Sequence, residues 1–320
     1  MTLIGYHCSH ERFKPGELLG YMQLAEQSGF AAGMCSDHFH PWSEQQGQSG
    51  FTWSWLGAAL QATGLSYGMV CAPGQRYNPA IIAQAAATLS EMFPERLWCA
   101  FGTGQYLNEH ITGEAWPPKP ERKKRLEEAV NVIRALWAGE WVTHKGSFTV
   151  EEAKLYTRPE KSPLIFGAAL SEETAEWVGS WADGIITAAK PLEDQKRFIE
   201  AFHRGGGVGK PMYLQALHAY GTDYNQIQKE AWQNWGTNVF GSEVQADLKT
   251  PQHFAAVGKF VKPEDMSICA RISCNLDDHI AWLRDDINLG FDRVFVHNAA
   301  ADQKEFIKQF GKEVLPNLKS

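Results

Sequence analysis

The sequence predicts an α/β fold, a closed (β/α)8 TIM barrel with a hairpin insertion near 141–154 and a longer insertion near 237–262. Three observations predict it. Eight short β-branched or aromatic runs recur along the 320 residues. Amphipathic helical stretches separate most of them, which calls for parallel pairing with right-handed crossovers. None of the eight runs is polar enough to be the edge strand that an open, doubly wound sheet would leave. One barrel takes about 250 residues before insertions, so 1–320 reads as a single domain.

The first strand, 3–8, leads to a helix over 15–28 with Pro15 in its first turn and Leu18, Leu19, Met22, Leu24 and Ala25 at apolar positions. The second strand, 31–36, runs to Pro41, which stops it. The third, 66–71, precedes a helix over 78–92 carrying Ile81, Ile82, Ala85, Ala86 and Leu89. The fourth, 97–102, precedes a helix over 121–138. Residues 141–154 read as a hairpin with Lys145-Gly146 at its turn. Strands at 164–169, 183–188 and 212–220 alternate with helices at 171–181, 192–203 and 224–235. The stretch 237–262 lacks periodicity and reads as a lid or binding loop. A helix over 276–289, the eighth strand at 293–298 and a helix over 302–315 complete the repeat.

Composition excludes several classes. The net charge is -7, from 30 basic and 37 acidic residues, with no long basic stripe, so nucleic acid is not the main partner. The six cysteines are scattered without a Cys-x-x-Cys pair, which argues for buried thiols in a reducing cytoplasm rather than a zinc ribbon or redox motif. The amino terminus lacks signal-peptide character. No run of about 18 apolar residues offers a membrane span. A cytoplasmic protein acting on a small molecule is expected.

Chemistry sits at the carboxyl ends of barrel strands. The segment Met34-Cys35-Ser36-Asp37-His38-Phe39-His40-Pro41-Trp42 delivers a carboxylate, two imidazoles and an indole at one such end. The first strand adds His7, Ser9 and Glu11, the fourth Gly102-Thr103-Gly104-Gln105 and Asn108, the sixth Thr187, Ala188, Ala189 and Lys190, the seventh His218, and the eighth His297 and Asn298. Gly167, Ala168 and Ala169 would let the backbone approach a flat ring or a phosphate, and the helix that follows offers free amides to a phosphate. Read as metal ligands, His38 and His40 share a strand face and His218 or His297 could complete the set, giving a metal-dependent barrel hydrolase. A non-catalytic flavin-binding protein is a third reading. The reading preferred here carries no metal.

Four stretches together resemble the bacterial luciferase-like oxidoreductases that use flavin or coenzyme F420: 36–42, Arg76-Tyr77-Asn78-Pro79-Ala80, Phe101-Gly102-Thr103-Gly104 with Leu107-Asn108-Glu109, and Ala182-Asp183-Gly184. The nearest branch resembled is that of the F420-dependent glucose-6-phosphate dehydrogenases. The resemblance implies a homodimeric barrel that acts by hydride transfer or oxygen activation, with NAD(P)H or a flavin reductase as a possible electron source. It implies that His38 is catalytic, that Asp37 contacts the cofactor, that Trp42 and Glu11 line the substrate cavity, and that Asn108 lies near the ring. It also implies a non-proline cis peptide within Met69-Val70-Cys71, bulging under the ring, and Lys190 against a substrate phosphate. The remaining cofactor contacts are expected from Gly167, Ala168, Ala169, Thr187 and Ala188. Two departures qualify it. Gln105 stands where those dehydrogenases carry a catalytic glutamate, and an amide is neither acid nor base at neutral pH. Cys269 stands near the place of a phosphate-binding arginine. With the phosphate cations reduced to Lys190, glucose 6-phosphate is not the expected substrate, and FMN is the expected cofactor with F420 as the alternative.

Overall fold

The computed structural model describes residues 2–318. Its strands are β1 (Leu3–Cys8), β2 (Ala32–Ser36), β3 (Ser66–Cys71), β4 (Leu97–Phe101), β5 (Val142–Lys145), β6 (Thr149–Ala153), β7 (Leu164–Ala168), β8 (Gly184–Ala188), β9 (Met212–Ala219), β10 (Arg271–Ile272) and β11 (Arg293–Asn298). Parallel pairing runs β9-β11-β1-β2-β3-β4-β7-β8, and β8 pairs back to β9, so eight strands close a barrel. These eight coincide with the expected strands to within a residue at each end. β5 and β6 form the expected antiparallel hairpin outside the ring.

The helices are α1 (Pro15–Gln27), α2 (Thr52–Ala62), α3 (Pro79–Met92), α4 (Tyr106–Glu109), α5 (Lys119–Ala138), α6 (Glu172–Gly179), α7 (Leu192–Phe202), α8 (Tyr224–Trp235), α9 (Ser242–Asp247), α10 (Pro251–Gly258), α11 (Leu276–Asn288) and α12 (Gln303–Gln309). Their starts follow local chemistry. Pro79 opens α3 while Asn78 accepts a hydrogen bond from the Ala80 amide, and Asp223 accepts from the amides of Asn225 and Gln226 at α8. Two expectations are corrected. α2 was not anticipated; its buried Thr52, Trp53, Trp55, Leu56, Ala59 and Leu60 leave too little polar face for a helical period to show. The stretch 237–262 is not a plain loop but holds the short helices α9 and α10, with β10 beyond them pairing parallel to β9. No helix among the described residues is long and apolar enough to cross a membrane.

Alternation along each strand divides the core in two. Outward residues such as Tyr6, Met69, Val294 and Val296 pack under the helices. Inward ones fill the barrel: Trp98, Phe166, Tyr213 and Phe295 form an aromatic plug, with the Phe166 and Tyr213 rings stacked at 4.2 Å. The plug needs glycine opposite it. A Cβ at Gly5 would stand 2.5 Å from the Phe295 ring, and one at Gly68 would fall within the Trp98 ring. Gly68→Ala is therefore expected to lower unfolding free energy by at least about 2 kcal/mol, the upper part of the overpacking range, because the ring has no free side to move to. Urea denaturation checks it, and unchanged stability would contradict the packing described.

Candidate active site

Above the plug the barrel opens into a cavity of about 1070 Å³ at the carboxyl pole. That is beyond the usual range for one small ligand, about 300–1,000 Å³. Strand ends and the 236–268 segment wall it together. Glu11, in the turn after β1, and His38, just past β2, meet over the cavity, with His38 Nδ1 2.7 Å from Glu11 Oε1. Ser9 donates to the second Glu11 oxygen at 2.9 Å. Burial raises the Glu11 pKa, but the hydrogen bond to His38 leads the interactions that outweigh it, and the carboxyl is held well below its usual range. The Trp42 indole stands edge-on to the His38 ring at 5.2 Å and packs in turn on Phe254.

Asp37 is buried on the other side of His38. Its Oδ2 accepts hydrogen bonds from Tyr77 Oη at 2.8 Å and Arg76 Nη2 at 3.0 Å, and Arg76 Nη2 also reaches the Asp37 carbonyl at 2.8 Å. Asp37 Oδ1 is buried with no partner among the described residues. The Arg76 amide donates to Glu109 Oε2 at 2.8 Å, so one arginine bridges two buried carboxylates. Burial raises the Glu109 pKa and Arg76 opposes that shift. Arg76, Tyr77 and Glu109 were not expected at the site. They lie in stretches that carry the family resemblance, but nothing in the chain order places them against Asp37.

The other expected residues divide by strand alternation. Val70, Cys71, Ala168, Ala169, Thr187, Ala188, Gln105, Asn108 and Lys190 line the cavity. Asn108 Oδ1 accepts from the amides of Phe39 and His40, clamping the loop that carries His38, while its Nδ2 donates to Gln105. Met69 and Gly167 face the other way. Met69 belongs to the outer core, and Gly167 gives room to the Val178 side chain of α6, so neither lines the cavity. The expected cis peptide is also absent: every described peptide bond is trans, and β3 keeps unbroken register with β2 and β4 through Val70 and Cys71. His40 turns from His38, donating Nδ1–H to the Leu107 carbonyl at 3.0 Å and stacking on His110. His218 points out of the cavity to His279, 2.7 Å away. No group of three or more His, Cys, Asp or Glu side chains among the described residues is arranged to hold a metal.

Lys190 bonds Thr187 Oγ1 at 2.7 Å and the Ala188 carbonyl at 3.1 Å. Burial pushes its amine down from 10.5 to about 8, against the pull of Asp194. Between those two values the unfolded chain holds the proton that the folded protein has lost, so rising pH relieves the folded state. The stability of Lys190→Met relative to the parent should therefore fall as pH rises from about 8 to about 10.5, the window set by that shift. Urea titrations at both pH values check it; a constant difference would contradict the buried ammonium. Across the mouth, Asp247 of α9 accepts from Trp116 Nε1 at 2.8 Å and Arg122 Nη1 at 3.1 Å, tying the 236–268 segment to the far wall.

A carboxylate-held imidazole beside a cavity with room for a planar cofactor and a second molecule defines a barrel enzyme of the cofactor-dependent kind. Residues 2–293 match the luciferase-like monooxygenase family, and the chain belongs to it. It is 31% identical over 331 residues to the F420-dependent glucose-6-phosphate dehydrogenase of Beutenbergia cavernae, covering 100% of this chain and 98% of that one. It is 32% identical to the corresponding enzyme of Microbacterium testaceum, covering 98% and 97%. A solved F420-dependent secondary alcohol dehydrogenase, in complex with an F420-acetone adduct, superposes with a TM-score of 0.92 at 30% identity, covering 100% and 99% of the two chains. The F420-dependent tetrahydromethanopterin reductase of Methanopyrus kandleri, with a TM-score of 0.80 at 18% identity over 99% of each chain, shares the fold.

Proposed function

We propose that this protein is an F420-dependent oxidoreductase that interconverts a small secondary alcohol and its ketone. The observation that carries the reading is the Glu11–His38 pair, which lines a cavity beside an unpartnered Asp37 oxygen. The cavity fits a flavin-like tricycle. Asp37 Oδ1 can accept from the imide N–H that flavins and deazaflavins both carry, and the small Ala168, Ala169 and Ala188 leave room at the opposite wall. Ser171, at the start of α6, and Thr187 would seat its phosphate. When bound, F420 accepts or returns a hydride. His38 takes the proton of the substrate hydroxyl through Nε2 and returns it in the reverse direction. Glu11 holds Nδ1, fixes the ring and stabilises the imidazolium that forms. Gln105 takes no part in proton transfer.

The sequence reading preferred FMN. The full-length relatives named above favour F420 instead. Lys190 is held by Thr187 and Ala188, and Cys269 lines the cavity as a neutral wall, which favours an uncharged substrate over a sugar phosphate. Fluorescence titration tests the cofactor: F420 is expected to bind at least about 10-fold more tightly than FMN, about 1.4 kcal/mol. Equal or tighter FMN binding would overturn that choice.

A further inference from the structure

We propose that His7, Gln215, Trp235 and His297 form a polar subsite in the cavity floor that takes a second, uncharged oxygen of the substrate. Diols and hydroxyketones then fit better than plain alkanols. The inference rests on the alcohol–ketone reading and narrows it. His7 on β1, His297 on β11 and Gln215 on β9 project inward from three adjacent strands, with Phe295 below His297 in the plug. The His7 and His297 rings lie 4.4 Å apart, and Trp235 stands edge-on to His297 at 4.5 Å. All line the cavity.

The hydrogen-bonding capacity of His7 and Trp235 is unused. Both nitrogens of His7, which is 3% exposed, and Nε1 of Trp235 have no partner among the described residues. Gln215 Nε2 donates to His297 Nδ1 at 3.4 Å, which leaves the His297 proton on Nε2. Elsewhere the floor is apolar, with Met34, Val70 and Ile186. A floor built for stability alone would be apolar throughout, because buried polar groups without partners destabilise a fold. Burial pushes His7 down to about 4 and His297 well below its ordinary value, so both rings are neutral at pH 7. Neutral imidazoles offer a donor and an acceptor and indole a donor, which suits a hydroxyl or carbonyl and provides no charge for a carboxylate or phosphate.

Butane-2,3-diol and butan-2-ol differ by the one hydroxyl in question. Two measurements compare them on the parent, on His7→Leu and on Trp235→Phe, which removes the indole N–H together with one ring. In thermal melting of the cofactor-free protein, the diol should raise the parent's melting temperature more than the mono-alcohol at equal concentration, and His7→Leu should erase the difference. With F420, kcat/KM of the parent should favour the diol by about 10-fold or more, falling toward equality in His7→Leu and by at least about threefold in Trp235→Phe. A parent that does not distinguish the two compounds in melting, or that turns both over equally, overturns the subsite. A melting difference without F420-linked turnover leaves the subsite standing and removes the alcohol–ketone reading instead.

Discussion

His38→Ala is expected to lower turnover of a secondary alcohol with F420 by about 100- to 10,000-fold, the range for a positioned acid–base group. Cofactor affinity should stay within about threefold, because the proposed cofactor contacts are Asp37 and small wall residues rather than the imidazole. Glu11→Gln gives a smaller loss. It keeps the ring near its place but removes the charge that stabilises the imidazolium, so it should lower kcat more than it changes KM. Steady-state kinetics with direct F420 titration separates the two parameters. Turnover of His38→Ala within about threefold of the parent would remove His38 from proton transfer.

Arg76→Met is expected to have the largest effect on stability. Arg76 lies between Asp37 and Glu109, all three buried, and its guanidinium stacks on Tyr77. Removing it leaves two carboxylates facing each other without a cation, a change that costs about 3–5 kcal/mol for a buried pair. The pH dependence follows from Glu109, whose pKa burial already raises. Without Arg76 that shift grows. A carboxyl with a raised folded pKa binds its proton more tightly folded than unfolded, so acidification favours the folded state. The deficit of Arg76→Met should therefore shrink as pH falls from about 7 toward about 5. Urea unfolding across that range measures it, and a loss below about 1 kcal/mol at neutral pH would contradict the bridging role. The variant should also lose activity, since Asp37 directly precedes His38.

The barrel was legible because each strand is a short apolar run bounded by turn residues, the runs alternate with helices, and none is polar enough to be an open edge. The residues 237–262 were not, because six- and eight-residue helices such as α9 and α10 span too few turns to show a period. That Asp37, His38, Glu11 and Trp42 line the cavity was legible from their place at strand ends. Met69 and Gly167 are not among the cavity-lining residues, whereas their neighbours Val70 and Ala168 are. The Asp37–Arg76–Glu109 bridge was hidden because its members come from three separate segments, and only the closed ring brings them together. His7 and His297 lie at the ends of the first and eighth strands, which ring closure makes neighbours; the approach of their rings and the edge-on Trp235 depend on side-chain packing that strand order does not give.

The most direct test follows the hydrogen itself. Oxidation of propan-2-ol bearing deuterium at its second carbon, run with stoichiometric F420, should place one deuterium on the reduced cofactor, read as a mass increase over the product from unlabelled alcohol. Reduced cofactor without the label, or no reduction by any secondary alcohol while F420 is bound, would contradict hydride transfer at this site.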